Sequence, residues 1–141
     1  MDAKGRLAIP SEIRSKLRPE VDGSAWYAVP WPTKLIRLYT ESDFQSKALN
    51  RPRSLTLSAD EAELRSTLFG LSARIEMDGA GRIRIPEDMM SLVGLGPEVV
   101  LIGACDWLEV RDRGEWERAR LAGLKKLPEL MSRIAERGDG L

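Results

Sequence analysis

The 141-residue sequence has no histidine, a single cysteine and no excess of charge of either sign. Without histidine, the chain lacks the usual side chain for acid–base catalysis near neutral pH and the commonest zinc ligand. Cys105 has no second cysteine with which to form a disulfide, and its place at the end of an apolar run predicts a small buried residue. Lys and Arg number 22, as do Asp and Glu, so the protomer as a whole has no net charge that attracts nucleic acid or membranes.

Long apolar runs are also missing. No stretch approaches the ~20 residues that cross a membrane, and no signal-peptide pattern opens the sequence. No nucleophile–base pair, phosphate-cradling loop or metal-ligand cluster is visible either. We therefore expect a cytoplasmic protein that is not an enzyme, needs no cofactor or metal, contacts no membrane and has no small-molecule substrate.

A nine-residue stretch, by contrast, occurs twice. Residues 2–10 read D-A-K-G-R-L-A-I-P and residues 78–86 read D-G-A-G-R-I-R-I-P. Five positions are identical in the two copies: Asp2 and Asp78, Gly5 and Gly81, Arg6 and Arg82, Ile9 and Ile85, and Pro10 and Pro86. Asp bonds its own backbone and Gly tolerates positive φ, so Asp2, Gly5, Asp78 and Gly81 are the predicted turn-forming residues. Each copy thus predicts a turn, a short strand and the start of a helix.

The sequences around the two copies predict the same order of elements. Alternating apolar residues predict strands over 6–9, 25–30 and 34–39 in the first copy, and over 71–77, 82–85, 98–105 and 108–111 in the second. A capping box at Ser58 and Glu61 predicts a helix over 59–69. Breaks near Gly123 and Pro128 predict two helical pieces in the tail over 115–137. Because neither copy can bury its apolar face alone, we expect one closed barrel with helices outside.

This order divides the chain into four parts. They are a first unit over residues 1–43, connecting helices over 44–71, a second unit over 72–115 and a helical tail over 116–141. A strand precedes Asp78, whereas the sequence given starts directly before Asp2. The first unit is therefore expected to lack its first strand, which leaves the backbone groups of a neighbouring strand unpaired.

The repeated D-x-x-x-R of Asp2–Arg6 and Asp78–Arg82, each followed by an apolar-x-Ile-Pro run, resembles the MraZ family of bacterial proteins, and residues 100–119 resemble its second unit. The resemblance implies an α+β, β-rich fold. In it, two pseudo-symmetric SpoVT-AbrB units of the double-split, swapped-hairpin type interleave in one β-barrel with peripheral helices. It also implies a transcriptional regulator that binds double-stranded DNA at short repeated boxes upstream of the division and cell-wall gene cluster. Closed homo-oligomeric rings and a cytoplasmic, nucleoid-associated location are further implications.

Arg6 and Arg82 are the leading candidates for DNA contact. Bidentate binding of arginine to a guanine edge is the commonest specific protein–DNA contact, and a two-stranded ribbon fits the major groove. The alternative is that each arginine pairs with its own Asp and only stiffens the turn. Lys4, in the loop, and Arg84, on the same strand face as Arg82, are further candidates for phosphate or base contact; otherwise they are solvated surface cations.

Charge is distributed unequally between the two copies. Residues 1–18 carry Lys4, Arg6, Arg14, Lys16 and Arg18 against Asp2 and Glu12. The second copy carries Arg82 and Arg84 against Asp78, Glu87 and Asp88. We therefore expect the first copy to contribute more of the affinity for DNA.

Two other functions stay open. An antitoxin similar to AbrB or MazE would bind operator DNA and also neutralise a toxin, although such chains usually carry one unit and a disordered tail. A DNA-independent oligomeric scaffold would use the same fold without contacting DNA. Replacing Arg6 and Arg82 by alanine separates a regulator from a scaffold, because only the regulator loses DNA binding.

Overall fold

The computed structural model of the protein describes residues 1–138, which form seven short strands and six helices. The strands are β1 (Arg6–Ala8), β2 (Ala25–Trp31), β3 (Leu35–Thr40), β4 (Ala73–Glu76), β5 (Arg82–Arg84), β6 (Val99–Gly103) and β7 (Leu108–Asp112). The helices are α1 (Ser11–Arg14), α2 (Pro19–Asp22), α3 (Glu41–Leu49), α4 (Ala59–Leu71), α5 (Glu87–Val93) and α6 (Arg113–Glu136). The predicted α+β class is confirmed.

The strands form two antiparallel sheets. β1 and β5 pair as a two-stranded ribbon with Arg6 opposite Arg84, Leu7 opposite Ile83 and Ala8 opposite Arg82. The other five strands form a sheet in the order β4-β2-β3-β7-β6, with antiparallel neighbours throughout. Directly opposite residues share one face of a sheet, so Leu7 and Ile83 lie on one face of the ribbon and its three arginines lie on the other.

The prediction of one closed barrel is wrong. β1 and β5 have three residues each and pair with each other, so they do not bridge the edges of the larger sheet. Among residues 1–138, no further strand pairs with the outer edge of β4 or of β6. A barrel requires every edge to be paired. The alternating pattern that predicted the strands does not determine which edges meet.

One hydrophobic core nevertheless joins the ribbon, the larger sheet and α5. Ile9 and Ile85, which are equivalent in the repeat, are 1% and 3% exposed and belong to the same cluster as Leu38 and Val110. Burying one such side chain contributes about 1.5–3 kcal/mol relative to leaving it in water. The apolar residues of both copies therefore hold the ribbon against the sheet and leave its arginine-bearing face outward.

The helix starts agree with the sequence better than the helix ends do. Ser58 accepts a hydrogen bond from the backbone N–H of Glu61 at 3.1 Å, which confirms the predicted cap of α4. The prediction of two helical pieces in the tail is wrong, because α6 continues through Pro128. Proline there has no N–H to donate to the carbonyl of Leu124, and the exposure of Leu124 makes this loss tolerable because water can replace the missing bond.

Cys105 is exposed, so the prediction that it is buried is wrong. β6 ends at Gly103, and a turn follows in which Ala104 N donates to Trp107 O at 2.8 Å and Asp106 N donates to Ala104 O at 2.9 Å. Cys105 adopts a φ of 70° in this turn. The apolar run that predicted burial thus extends past the end of the strand.

Candidate nucleic-acid interface

The first Asp–Arg loop is organised by the carboxylate of Asp2. Its Oδ1 atom accepts hydrogen bonds from the backbone N–H groups of Lys4 at 3.0 Å and of Arg6 at 2.9 Å. Its Oδ2 atom accepts from Arg6 Nε at 2.8 Å. Gly5 N donates to the carbonyl of Asp2 at 3.0 Å, and Gly5 has a φ of 75°, which a residue with a Cβ adopts only under strain. One side chain thus orders the turn and orients the arginine that follows it.

The second loop repeats this arrangement atom for atom. Asp78 Oδ1 accepts from Ala80 N at 2.9 Å and from Arg82 N at 3.0 Å, and its Oδ2 accepts from Arg82 Nε at 2.9 Å. Gly81 N donates to Asp78 O at 3.0 Å, again with a φ of 75°. The repeated residues therefore build two turns of the same geometry, each followed directly by a ribbon strand.

The fold brings the two loops together. Because β1 and β5 are antiparallel and only three residues long, the loops that precede them lie beside one short ribbon. Arg82 Nη1 lies 3.9 Å from Asp2 Oδ2, the oxygen that also accepts from Arg6 Nε. The two guanidinium groups are therefore neighbours on one surface.

Both Asp carboxyls are held in the ionised form. The hydrogen bond from the backbone N–H of Arg6 is the largest cause that lowers the pKa of Asp2, and the N–H of Arg82 does the same for the pKa of Asp78. Hydrogen bonds from the guanidinium groups act in the same direction, and desolvation opposes them. At neutral pH each arginine is thus oriented by an anion.

The ends of the two guanidinium groups are partly exposed. The side chains of Arg6 and Arg82 are 27% and 33% exposed, and each uses Nε for its own Asp. Among the described residues, no protein group forms a hydrogen bond with the Nη atoms of either side chain. A guanidinium whose Nη groups form no hydrogen bond within the protein can bind two acceptors in one plane.

Lys4 and Arg84 extend this surface. Lys4 lies exposed in the first loop, and Arg84 lies exposed opposite Arg6 in the ribbon. Neither side chain is engaged in a hydrogen bond or ion pair within residues 1–138. The structure thus groups all four predicted contact residues on and beside one short ribbon.

Arg14 also belongs to this surface, although in the sequence it stands out only as one of the charges of the first copy. Its Nε donates to the carbonyl of Ile9 at 2.9 Å, and its side chain lies against Gly81 of the second loop. The residue at the equivalent position of the second copy is Met90, so the repeat itself gave no signal for Arg14. Comparing the two copies beyond the identical positions would have marked it as a difference.

Two Asp-ordered loops lie on a shared core and place paired arginines on one ribbon, so the structure belongs to the class of proteins built from a duplicated loop-and-strand unit. A family model for the MraZ protein matches residues 68–125. A transcriptional regulator MraZ of Methylococcus capsulatus is 32% identical over 126 residues, which cover 89% of this chain and 82% of that protein.

Other relatives carry the same name. A transcriptional regulator MraZ of Alkalilimnicola ehrlichii is 28% identical over 85% of this chain and 80% of its own length. One of Yersinia pestis is 26% identical over 100% of this chain and 93% of its own length. The chain belongs to the MraZ family, as its repeat predicted. Among residues 1–138, no helix has both the length and the apolar surface that crossing a membrane requires.

Proposed function

We propose that this protein is a transcriptional regulator that binds double-stranded DNA sequence-specifically through the ribbon and its two loops. The observation that carries the proposal is the pair of matching loops, each of which holds an arginine by Nε and leaves its Nη groups without a hydrogen bond among the described residues. A two-stranded ribbon enters the major groove, and a free guanidinium end binds O6 and N7 of guanine. The Asp–Arg pairing is thus compatible with DNA contact, because it uses a different edge of the side chain.

The proposal gives the four basic residues different tasks. Arg6 and Arg82 contact base edges, because their carboxylate partners fix their direction. Lys4 and Arg84, which no protein group orients, contact phosphates, where direction matters less. Removing either Lys4 or Arg84 should lower the salt dependence of binding by about one charge without changing the preferred sequence.

We further propose that several copies assemble into a closed ring. The chain has no net charge, so a single surface with few cations binds one DNA site weakly. Identical surfaces on a ring engage tandem sites together and gain affinity by effective concentration. Family membership supports three further parts of the proposal. The two units are of the SpoVT-AbrB type, the target boxes lie upstream of the division and cell-wall genes, and the protein is cytoplasmic and nucleoid-associated.

Two exposed apolar surfaces support the assembly. The first surface is on α6, which exposes Leu121, Leu124, Leu127, Leu130 and Met131. A groove of about 820 Å³ lies between the β2–β3 turn, α4 and α5, with Trp31, Leu64 and Leu92 among its lining residues. A helix face on one copy that fills a groove on the next makes a head-to-tail contact, and such contacts close into rings when the rotation permits.

The test is a gel-shift titration with DNA that carries one, two or four copies of a repeat taken from upstream of the gene. Wild type should bind the tandem DNA far more tightly than the single site. Arg6→Ala and Arg82→Ala should each weaken binding roughly 5- to 150-fold, the range for one lost bidentate base contact. Arg53→Ala, which removes the same charge from the exposed segment between α3 and α4, is the control. Absence of wild-type binding to any of these DNAs would favour the scaffold, and unchanged binding in both loop variants would overturn the role of the two arginines. Equal binding to one and four sites would contradict the ring.

A further inference from the structure

The two loops have the same hydrogen bonds but different surroundings. A Cβ atom placed on Gly5 would meet no atom within 4 Å. A Cβ atom on Gly81 would lie 2.5 Å from Arg14 Nε and 2.6 Å from Arg14 Cζ, and would also overlap Cδ. The side chain of Arg14 therefore lies directly on the backbone of the second loop, whereas the first loop is uncovered at the same point.

Arg14 is held there by the end of β1. Its Nε donates to the carbonyl of Ile9 at 2.9 Å, and the N–H of Ile9 donates to the carbonyl of Gly81 at 3.0 Å. One residue of the first unit thus links Arg14 to the second loop through both of its backbone polar groups. Among residues 1–138, no matching bond joins Ile85 N to Gly5 O, and buried Met90 stands where the repeat would require an arginine.

This contact also changes the charge balance between the loops. The second loop is the less basic one by sequence, since Asp78, Glu87 and Asp88 oppose its two arginines. Arg14 stays largely exposed while it lies on Gly81, so it brings a positive charge from the first unit to the second loop. Counting Arg14 with the second loop leaves four cations against two anions in the first copy and three against three in the second, so a larger contribution of the first copy to the affinity for DNA stays a prediction.

We propose that Arg14 is a positioning residue for DNA binding by the second loop. It covers Gly81, ties the loop to β1 through Ile9 and thereby fixes the direction of Arg82, which makes the second loop the more rigid of the two. The first loop, which lacks this contact, adapts to its site. The inference rests on the proposed function for its effect on DNA, but its structural part can be tested without DNA.

The DNA-free test is amide hydrogen exchange on the full chain. Arg14→Ala should speed exchange at Ala80 and Arg82 about tenfold or more and leave Lys4 and Arg6 unchanged, because only the second loop loses a contact. Arg18→Ala, which removes an equal charge from the same segment, is the matched control. Equal exchange in all three proteins would overturn the inference, whatever happens to DNA binding.

The paired glycines supply a second readout. Gly5→Ala and Gly81→Ala impose the same backbone strain, because both residues have a φ of 75°. Gly81→Ala must also displace Arg14, so it should lower the melting temperature more than Gly5→Ala does. When each glycine is replaced separately in Arg14→Ala protein, the two replacements should lower the melting temperature equally. An excess that persists there would contradict the contact.

A double-mutant cycle tests the effect on DNA. Arg14→Ala should weaken binding about tenfold, within the range for one bidentate contact. In Arg82→Ala protein, Arg14→Ala should cause no further loss of binding, because the effects of residues that act together are not additive. In Arg6→Ala protein, it should cause its full tenfold loss. Arg14→Lys, which keeps the charge but not the planar group on Gly81, should not restore binding. Rescue by lysine or equal coupling to both loops would overturn the inference; unchanged binding in Arg6→Ala and Arg82→Ala would overturn the proposed function instead.

Discussion

Replacing Asp78 by asparagine should separate the turn from the orientation of its arginine. The amide oxygen of asparagine can still accept from the backbone N–H groups of Ala80 and Arg82, which lie 2.9 and 3.0 Å from Oδ1. The amide nitrogen cannot accept from Arg82 Nε, which now lies 2.9 Å from Oδ2. The variant should therefore keep the loop and release the Arg82 side chain.

The expected loss follows from the cost of ordering that side chain when DNA binds. Immobilising a long side chain at an interface costs about 0.5–1.5 kcal/mol, which corresponds to roughly 2- to 13-fold in Kd. Asp78→Asn should thus weaken specific binding by that factor, less than Arg82→Ala does. The substitution also removes a negative charge that repels phosphate, so binding to unrelated DNA should stay equal or become tighter.

The assay is a fluorescence-anisotropy titration against the tandem-site DNA and a scrambled duplex at the same salt concentration. The specificity ratio, which is Kd for the scrambled duplex divided by Kd for the tandem-site DNA, should fall for Asp78→Asn and for the equivalent Asp2→Asn. Asp60→Asn, an exposed change in the first turn of α4, should leave the ratio unchanged. If Asp78→Asn tightens binding to both duplexes equally, Asp78 does not orient Arg82 and the reasoning fails.

Three further predictions concern stability and assembly. Leu38→Ala should cost about 2–5 kcal/mol in urea unfolding, because Leu38 is fully buried in the shared core. The fold lowers the pKa values of Asp2, Asp78 and Glu41 from their ordinary values of 3.8 to 4.5. These carboxylates therefore stabilise the fold at pH values above the ordinary pKa, and this stability is lost as pH falls through the lower pKa of the folded state. The urea midpoint should thus drop between pH 7 and roughly pH 3. Leu124→Glu on the exposed face of α6 should reduce the mass measured by light scattering while circular dichroism stays unchanged.

The sequence predicted those parts of the fold that depend on neighbouring residues. The identical spacing of Asp, Gly and Arg predicted two turns, each leading into a strand, and the alternation of Ile83 and Ile85 with Arg82 and Arg84 separated the core face from the outer face. These features are local, because each turn is closed by bonds within five residues.

Features that depend on distant pairings were beyond the sequence. The barrel prediction failed because alternation marks a strand but does not specify its partner, and the edges of β4 and β6 stay open in residues 1–138. Arg14 was missed because its contact with Gly81 joins the two copies of the repeat across 67 positions of sequence. Pro128 was misjudged because an exposed helix tolerates the loss of one backbone bond.

Arg6 and Arg82 are proposed to bind one guanine each in the major groove. Replacing single guanines by 7-deazaguanine tests this contact most directly, because the replacement removes the N7 acceptor and leaves base pairing intact. At the guanine that Arg82 contacts, the replacement should weaken wild-type binding by at least fivefold and leave the binding of Arg82→Ala unchanged, and a second position should behave in this way for Arg6. Equal sensitivity of wild type and both variants at every guanine would contradict the claim.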